Sequence, residues 1–381
     1  MVAIFVASLM TQSINTISLV LQGVMETYGG TDVMTAQLII SVANLVALVA
    51  MLVVGKLVCF VTKKFVLVAM MACMAIGGLL GYFCTPNLAM VFVACGFVGF
   101  GAGGLIPLSS ALIGEYFEGT TRATVMGTQS IFVNGGGMLL NLAGGFLAAM
   151  YWKNLFFIYL PSILIAIVIL ILLPKGNLEK PEVKGAHVPL FTPFLGILMF
   201  QGFFNGLAMM TFMANITPFI FELGIGNEAQ AGIVTMAFSG GAVISGILIA
   251  VIMKGLKRYV FAVGLTLSAV ALWLFFAVDN YAVFIVAGVL IGAGFTFHNT
   301  PYYTLAPANC DHSNMTMTMS LYTVAMQVGM ILCPIIVTPL AASFTSSLSG
   351  CFLIGAIAVT IVALIAYFTP RLLKNYKLTL D

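Results

Sequence analysis

The chain has 381 residues, of which 62% are hydrophobic and only 7% charged, with a formal net charge of +3. A soluble domain carries about 25% charged residues, so this chain cannot cover a surface facing water, and no nucleic-acid partner is expected. A membrane β-barrel is excluded too, because its strands alternate polar and apolar over about ten positions, and the apolar runs here are continuous and about twice as long.

The expected fold is therefore all-α and integral to the membrane, with twelve transmembrane helices. The first six are expected over about 2–23, 33–54, 65–84, 88–113, 123–148 and 155–173. The others fall over about 194–221, 230–252, 259–278, 281–305, 316–341 and 350–369. Span 1, "MVAIFVASLMTQSINTISLVLQ", lacks the basic start of a secretory signal and is too long for its apolar core. It also carries Gln12, Asn15 and Thr16, so it reads as a retained first helix. Span 4 holds "GAG" at Gly101–Gly103 and ends near Glu115 and Arg122. Span 5 is rich in glycine, including Gly127, Gly136, Gly144 and Gly145. A polar linker with four prolines runs over 174–193. The expected organisation is a six-helix bundle over 1–173, that linker, a second bundle over 194–370, and a tail over 371–381. In span 7, Gln201 and Asn205 are four apart and share a helix face flanked by Phe204. Span 10 repeats the idea with Phe295, His298, Asn299 and Tyr302, and span 11 adds Tyr322 and Gln327.

Charge sets an orientation. With the N-terminus in the cytoplasm, 13 of the 14 Lys and Arg residues fall in inside loops or the tail, and only Lys153 lies outside. Lys and Arg rather than net charge decide topology, so both termini are expected on the cytoplasmic side of the cell membrane. The basic tail lies beside an anionic inner leaflet or acts as a plain stop-transfer flank.

The seven cysteines show neither metal-ligand spacing nor a disulfide framework. They read as small packing residues, and the 23 methionines as gap-fillers rather than a metal relay. Cys310, Asp311 and His312 lack further ligands and read as a solvated turn. No metal, cofactor, catalytic triad, paired acids or nucleotide-binding loop is expected.

The halves echo each other. "GKLVCFVTKK" starts at Gly55 and "GILIAVIMKGLKR" at Gly246, each with a lysine eight residues on (Lys63, Lys254). Gly101–Gly103 and Gly292–Gly294 are both "GAG", and both pairs share an offset of 191 (246 − 55 and 292 − 101). Six spans, a basic central loop, six more spans and a repeated loop motif together resemble the major facilitator superfamily. The loop after span 2 is similar to that family's G-x-x-x-D-R-x-G-R-K, keeping Gly55, Lys63 and Lys64 but placing Cys59 where the acid stands. The resemblance implies a gating loop there, with Glu115, Glu118 and Arg122 after span 4 as a substitute charge network. Gly127, Gly136, Gly144 and Gly145 fit the spacing of the family's antiporter signature, though Leu140-Asn141 replaces its Gly-Pro. Close helix packing explains the same glycines.

The resemblance also implies that spans 1, 4, 7 and 10 line a central cavity, with 2, 5, 8 and 11 beside them. The polar residues fall largely there, which makes Gln12, Asn15, Gln201, Phe204, Asn205, Phe295, His298, Asn299, Tyr302, Tyr322 and Gln327 the candidate substrate-binding set. The alternative is that these side chains bond one another and lock the bundle. No Asp, Glu, Lys or Arg sits deep in any span, which argues against a doubly charged anion as substrate. His298 is the candidate carrier of a coupling proton, against a neutral histidine that only exchanges hydrogen bonds. The expected function is secondary transport of a small amphipathic molecule, neutral or weakly ionic, by alternating access, with export ahead of import. A non-transporting sensor or assembly protein of the same fold is the alternative. The expected partners are the substrate, a coupling proton and membrane lipid, and the chain is expected to act as a monomer.

Overall fold

A computed structural model describes residues 2–117, 119–174, 192–309 and 315–373. Twelve helical stretches are long and apolar enough to cross a membrane, and among the described residues there is no β-strand. Their bounds, from Val2–Thr27 to Ser349–Ala366, follow the sequence expectation to within a few residues. The agreement has a plain cause: at 1.5 Å per residue, only a run of about 20 apolar residues crosses the hydrocarbon with its backbone satisfied.

Span 1 departs from expectation, since it is not one α-helix. It begins as α1 (Val2–Leu9), passes through a 3-10 helix at Ser13–Val20, and resumes as α2 (Leu21–Thr27). A 3-10 run longer than three or four residues is uncommon. Here short polar side chains compete for the backbone. Thr16 Oγ1 donates to Ser13 O at 2.6 Å and Ser18 Oγ to Asn15 O at 2.8 Å. Then come α3 (Val33–Leu57), α4 (Lys63–Phe83), α5 (Leu88–Tyr116) and α6 (Gly119–Met150). Span 6 joins a second 3-10 helix, Trp152–Tyr159, to α7 (Pro161–Leu172). The later helices are α8 (Pro193–Glu222), α9 (Glu228–Leu256), α10 (Val260–Ala277), α11 (Tyr281–Asn309), α12 (Met315–Ala342), α13 (Ser349–Ala366) and the short α14 (Thr369–Leu372).

Two compact units result. One comprises Met1–Glu182 with Ile216–Met236, the other Val183–Asn215 with Ala237–Asp381. In the first, α5 lies against both α3 and α4, and bare glycine backbone permits the approach. A Cβ on Gly101 would stand 2.6 Å from Met70 O of α4, and one on Gly103 would run into Ala47 of α3. Gly136 meets Leu9 of α1, and Gly145 meets Gly232 of α9, where a Cβ would stand 2.7 Å from the facing Cα. Gly144 faces only side-chain methyls at ordinary contact distance.

In the second unit, α11 is wedged the same way. Gly292 faces Phe238 of α9, and a Cβ on Gly294 would stand 2.6 Å from Gly264 O of α10. The two "GAG" motifs thus do one job, but their order is exchanged. The first glycine meets span 3 in one unit and span 8, the counterpart of span 2, in the other. The shared offset of 191 marks a repeated device rather than a residue-by-residue equivalence. Stacked phenylalanines fill the middle of the second unit, with Phe275 5.3 Å from Phe212 and 5.1 Å from Phe352. Leu164 and Ile171 stand exposed on α7, an apolar face suited to hydrocarbon.

Candidate functional site

The second unit draws five of the candidate residues into one hydrogen-bonded group. Gln201 and Asn205 project from the same face of α8, His298 and Asn299 from α11, and Tyr322 from α12. All five are buried. Tyr322 Oη donates to Asn299 Oδ1 at 2.5 Å, and Asn205 Nδ2 donates to the same oxygen at 3.4 Å. His298 Nδ1 lies 2.8 Å from Tyr322 Oη, and its Nε2 lies 3.4 Å from the Gln201 amide. Gln201 in turn is 2.7 Å from Thr369 Oγ1 at the start of α14.

The proton positions follow from donor counting. Tyr322 has one proton and spends it on Asn299, so its oxygen receives the N–H of His298 Nδ1. The neutral ring then has a bare Nε2, which needs a donor from Gln201. A 180° turn of the Gln201 amide supplies it and hands the amide carbonyl to the Thr369 hydroxyl. Every bond then runs in one direction, from Thr369 through Gln201, His298 and Tyr322 to Asn299. The His298 ring packs edge-on to Phe261 of α10 at 5.6 Å. Tyr302 stacks on Tyr322 at 3.9 Å and donates to Thr318 O at 2.8 Å.

The other candidates stand apart. Phe204 packs with Phe200 and Phe203, and Phe295 lies 6.0 Å from Phe238. Gln327 is buried on α12, and among the described residues no hydrogen bond joins it to the network. Gln12 and Asn15 belong to the first unit, where Asn15 Nδ2 donates to Gln12 Oε1 at 2.7 Å. Gly55 sits in open space at the end of α3, so packing does not require a glycine there.

Lys63 and Glu115 form an ion pair at 2.9 Å that ties the start of α4 to the end of α5, while Lys64 is half-buried outside it. Burial pushes the Tyr116 phenol above its ordinary value, with Glu115 adding to the shift and Lys63 opposing it. Because Lys63 is buried, removing the Glu115 carboxylate takes away a counter-charge where water cannot fully replace it. Glu115→Gln is expected to cost about 1–3 kcal/mol, against under about 0.5 kcal/mol for Lys64→Met, in thermal unfolding of the purified protein. Glu118, the linker beyond Pro174, Cys310–His312 and the tail beyond Leu373 lie outside the described residues, as do the side chains of Arg122 and Gly127.

Sequence reasoning missed Thr369, a lone hydroxyl at the end of an apolar span. It also missed Tyr159, which lies in a span that reads as hydrocarbon. Tyr159 Oη stands 2.9 Å from Thr16 Oγ1 and joins the two 3-10 helices inside the first unit. Its one signal is a phenol in the largely apolar run "FFIYLPSILIAIV". An apolar cleft of about 400 Å³ lies between Val2–Ile4, Tyr116, Phe117 and Leu172–Pro174, and none of the candidate residues lines it.

The family model of the Major Facilitator Superfamily matches residues 1–226 and 198–378, nearly the whole chain. The chain belongs to the major facilitator superfamily. Solved structures carry the same fold. A bacterial homologue of the human lysosomal transporter Spinster, inward-facing and unoccupied, matches with a TM-score of 0.71 and 15% identity, covering 99% of this chain and 98% of its own. Its inward-facing occupied form gives 0.74 and 15%, covering 100% and 98%. An auto-inhibited POT family peptide transporter gives 0.74 and 12%, covering 97% and 96%. At such identities the likeness concerns the fold. No curated protein matches the chain. Membership of the superfamily points to a transporter rather than an enzyme.

Proposed function

We propose that the chain is a secondary active transporter in the cell membrane, with both termini cytoplasmic and two six-helix bundles working as a rocker switch. It moves a small amphipathic molecule, neutral or weakly ionic, and exports rather than imports it. One observation carries the substrate class. Among the described residues, the buried charged side chains are Lys63 and Glu228, each the first residue of its helix. The polar groups buried within the spans are hydroxyls, amides, phenols and one imidazole. A fixed ionic group on the substrate would find no counter-charge and would bear the full desolvation penalty.

The network supports His298 as a neutral hub. Both ring nitrogens have partners within the second unit and the side chain is fully buried. His298→Ala is expected to lower thermal stability and to leave the pH profile of transport in reconstituted vesicles unchanged; a flattened profile would assign the coupling proton to His298. The transporter reading itself is tested by screening metabolites and drugs for thermal stabilisation at two pH values, then measuring flux of the hits. Binding stabilises the folded state by mass action. Binding without flux would favour the alternative, a non-transporting sensor or assembly protein, for which Cys59 in place of the loop acid speaks.

A further inference from the structure

We propose that the broken part of span 1 recognises an amide edge: the adjacent C=O and N–H of a neutral primary carboxamide or lactam. The inference rests on the transport reading only for the claim that such a ligand is carried. Most other amides of the spans bond to the protein itself or are buried. Asn44, Asn134 and Asn215 each donate to the carbonyl four residues back on their own helices. Gln201 lies between Thr369 and His298. Asn205 donates to Asn299 Oδ1, an oxygen that Tyr322 shares, and Asn205 Oδ1 has no partner among the described residues, but both side chains are buried.

Gln12 and Asn15 differ. Each primary amide brings two N–H donors and one carbonyl. The Asn15-to-Gln12 bond uses one N–H and one carbonyl, leaving, beside one spare Asn15 N–H, two whole groups: the Gln12 NH₂ and the Asn15 carbonyl. Neither group has a partner among the described residues. Turning both amides reverses their bond yet still leaves one NH₂ and one carbonyl, so the exposed edge keeps its character either way. Both side chains are half-buried and accessible, while Thr11, Ser13 and Thr16 around them are buried.

The 3-10 conformation makes the pair. Gln12 is the cap residue of the 3-10 helix, and Asn15 N donates to Gln12 O at 3.1 Å. At three residues per turn, side chains three apart eclipse, whereas α geometry would swing them about 60° apart. Tyr159 braces this turn through Thr16, which itself holds Ser13 O. Within the first unit, span 1 packs against α3, α5, α6, α7 and the Trp152–Tyr159 helix. Turning the remaining face to lipid would leave two amide groups unpaired in hydrocarbon, which membrane proteins avoid. A ligand carbonyl accepts from the Gln12 NH₂ while the ligand N–H donates to the Asn15 carbonyl. An ester or a tertiary amide lacks the donor, and a carboxylate offers only acceptors.

Matched probes test this on the purified full-length protein. Benzamide and δ-valerolactam are titrated beside N,N-dimethylbenzamide and N-methyl-valerolactam, with affinity read by calorimetry and thermal shift. The N–H compounds are expected to bind at least about tenfold more tightly than their methylated counterparts, the worth of one hydrogen bond. Asn15→Leu is expected to erase that preference, because it removes the acceptor of the ligand N–H, whereas Gln12→Met is expected to weaken methylated and unmethylated probes alike, because every probe carbonyl accepts from the Gln12 NH₂. Equal affinities within each pair, no binding by either N–H probe, or a preference that survives Asn15→Leu overturns the proposal. If a variant fails to fold, the wild-type comparison decides alone. Flux of benzamide into vesicles separates the two readings. Selective binding without flux keeps the amide site and rejects transport, whereas flux indifferent to N-methylation and to both substitutions does the reverse.

Discussion

Gly292→Leu is expected to leave little correctly folded protein. Gly292 lies where α11 crosses α9, and a Cβ there would run into the carbonyl and Cα of Phe238. The obstacle is backbone held in a helix, which cannot rotate away as a flexible side chain would. Overpacking of yielding cores costs about 1–3 kcal/mol, and an unyielding crossing puts the cost at the top of that range or above it. Gly206 against Met326 and Gly329 against Phe203 form a second crossing of this kind, between α8 and α12. Gly196, with open space around it, serves as the control. Gly196→Ala is expected to melt like the parent protein, while Gly292→Leu should elute as aggregate in detergent size-exclusion chromatography. A monodisperse Gly292→Leu protein with an unchanged melting temperature would contradict this account of the crossing.

Tyr322→Phe is expected to destabilise the second unit by about 2 kcal/mol. An average hydrogen bond between membrane helices is worth only about 0.6 kcal/mol, so the deleted bond alone would predict less. The difference lies in what is left behind. Without the phenol, the N–H of His298 Nδ1 has lost its acceptor, and Asn299 Oδ1 keeps only the longer contact from Asn205. A buried donor without an acceptor costs about 1–3 kcal/mol. The ring stack on Tyr302 survives in phenylalanine, so the loss reports the hydroxyl. The check is a double-mutant cycle with His298→Ala, read as thermal stability. Strong coupling between the two positions is expected, because either change removes the same bond. Additive losses would mean that the two side chains do not share it.

Much of the candidate site was legible because helical spacing is rigid. Gln201 and Asn205, four apart, had to share a face, and so did Phe295, Asn299 and Tyr302 at spacings of three and four. That Gln201, Asn205, His298, Asn299 and Tyr322 stand together depends on three helices meeting, which no local spacing encodes. Thr369 and Tyr159 were invisible for the same reason, since each acts through a partner more than a hundred residues away. The break in span 1 was half legible. The run of Thr, Gln, Ser, Asn, Thr and Ser from Thr11 to Ser18 announced polarity, but hydropathy does not distinguish a polar α-helix from a 3-10 one.

By itself, the sequence determined the twelve spans, the all-helical class and the uncharged interior. Lipid imposes length and composition on every crossing, and those are properties of a stretch of chain read in order. Only the tertiary structure decided which polar groups are spent on one another and which stay unpaired among the described residues. A hydrogen bond is satisfied by whatever lies within about 3 Å, and for His298 and Thr16 those atoms arrive from distant helices.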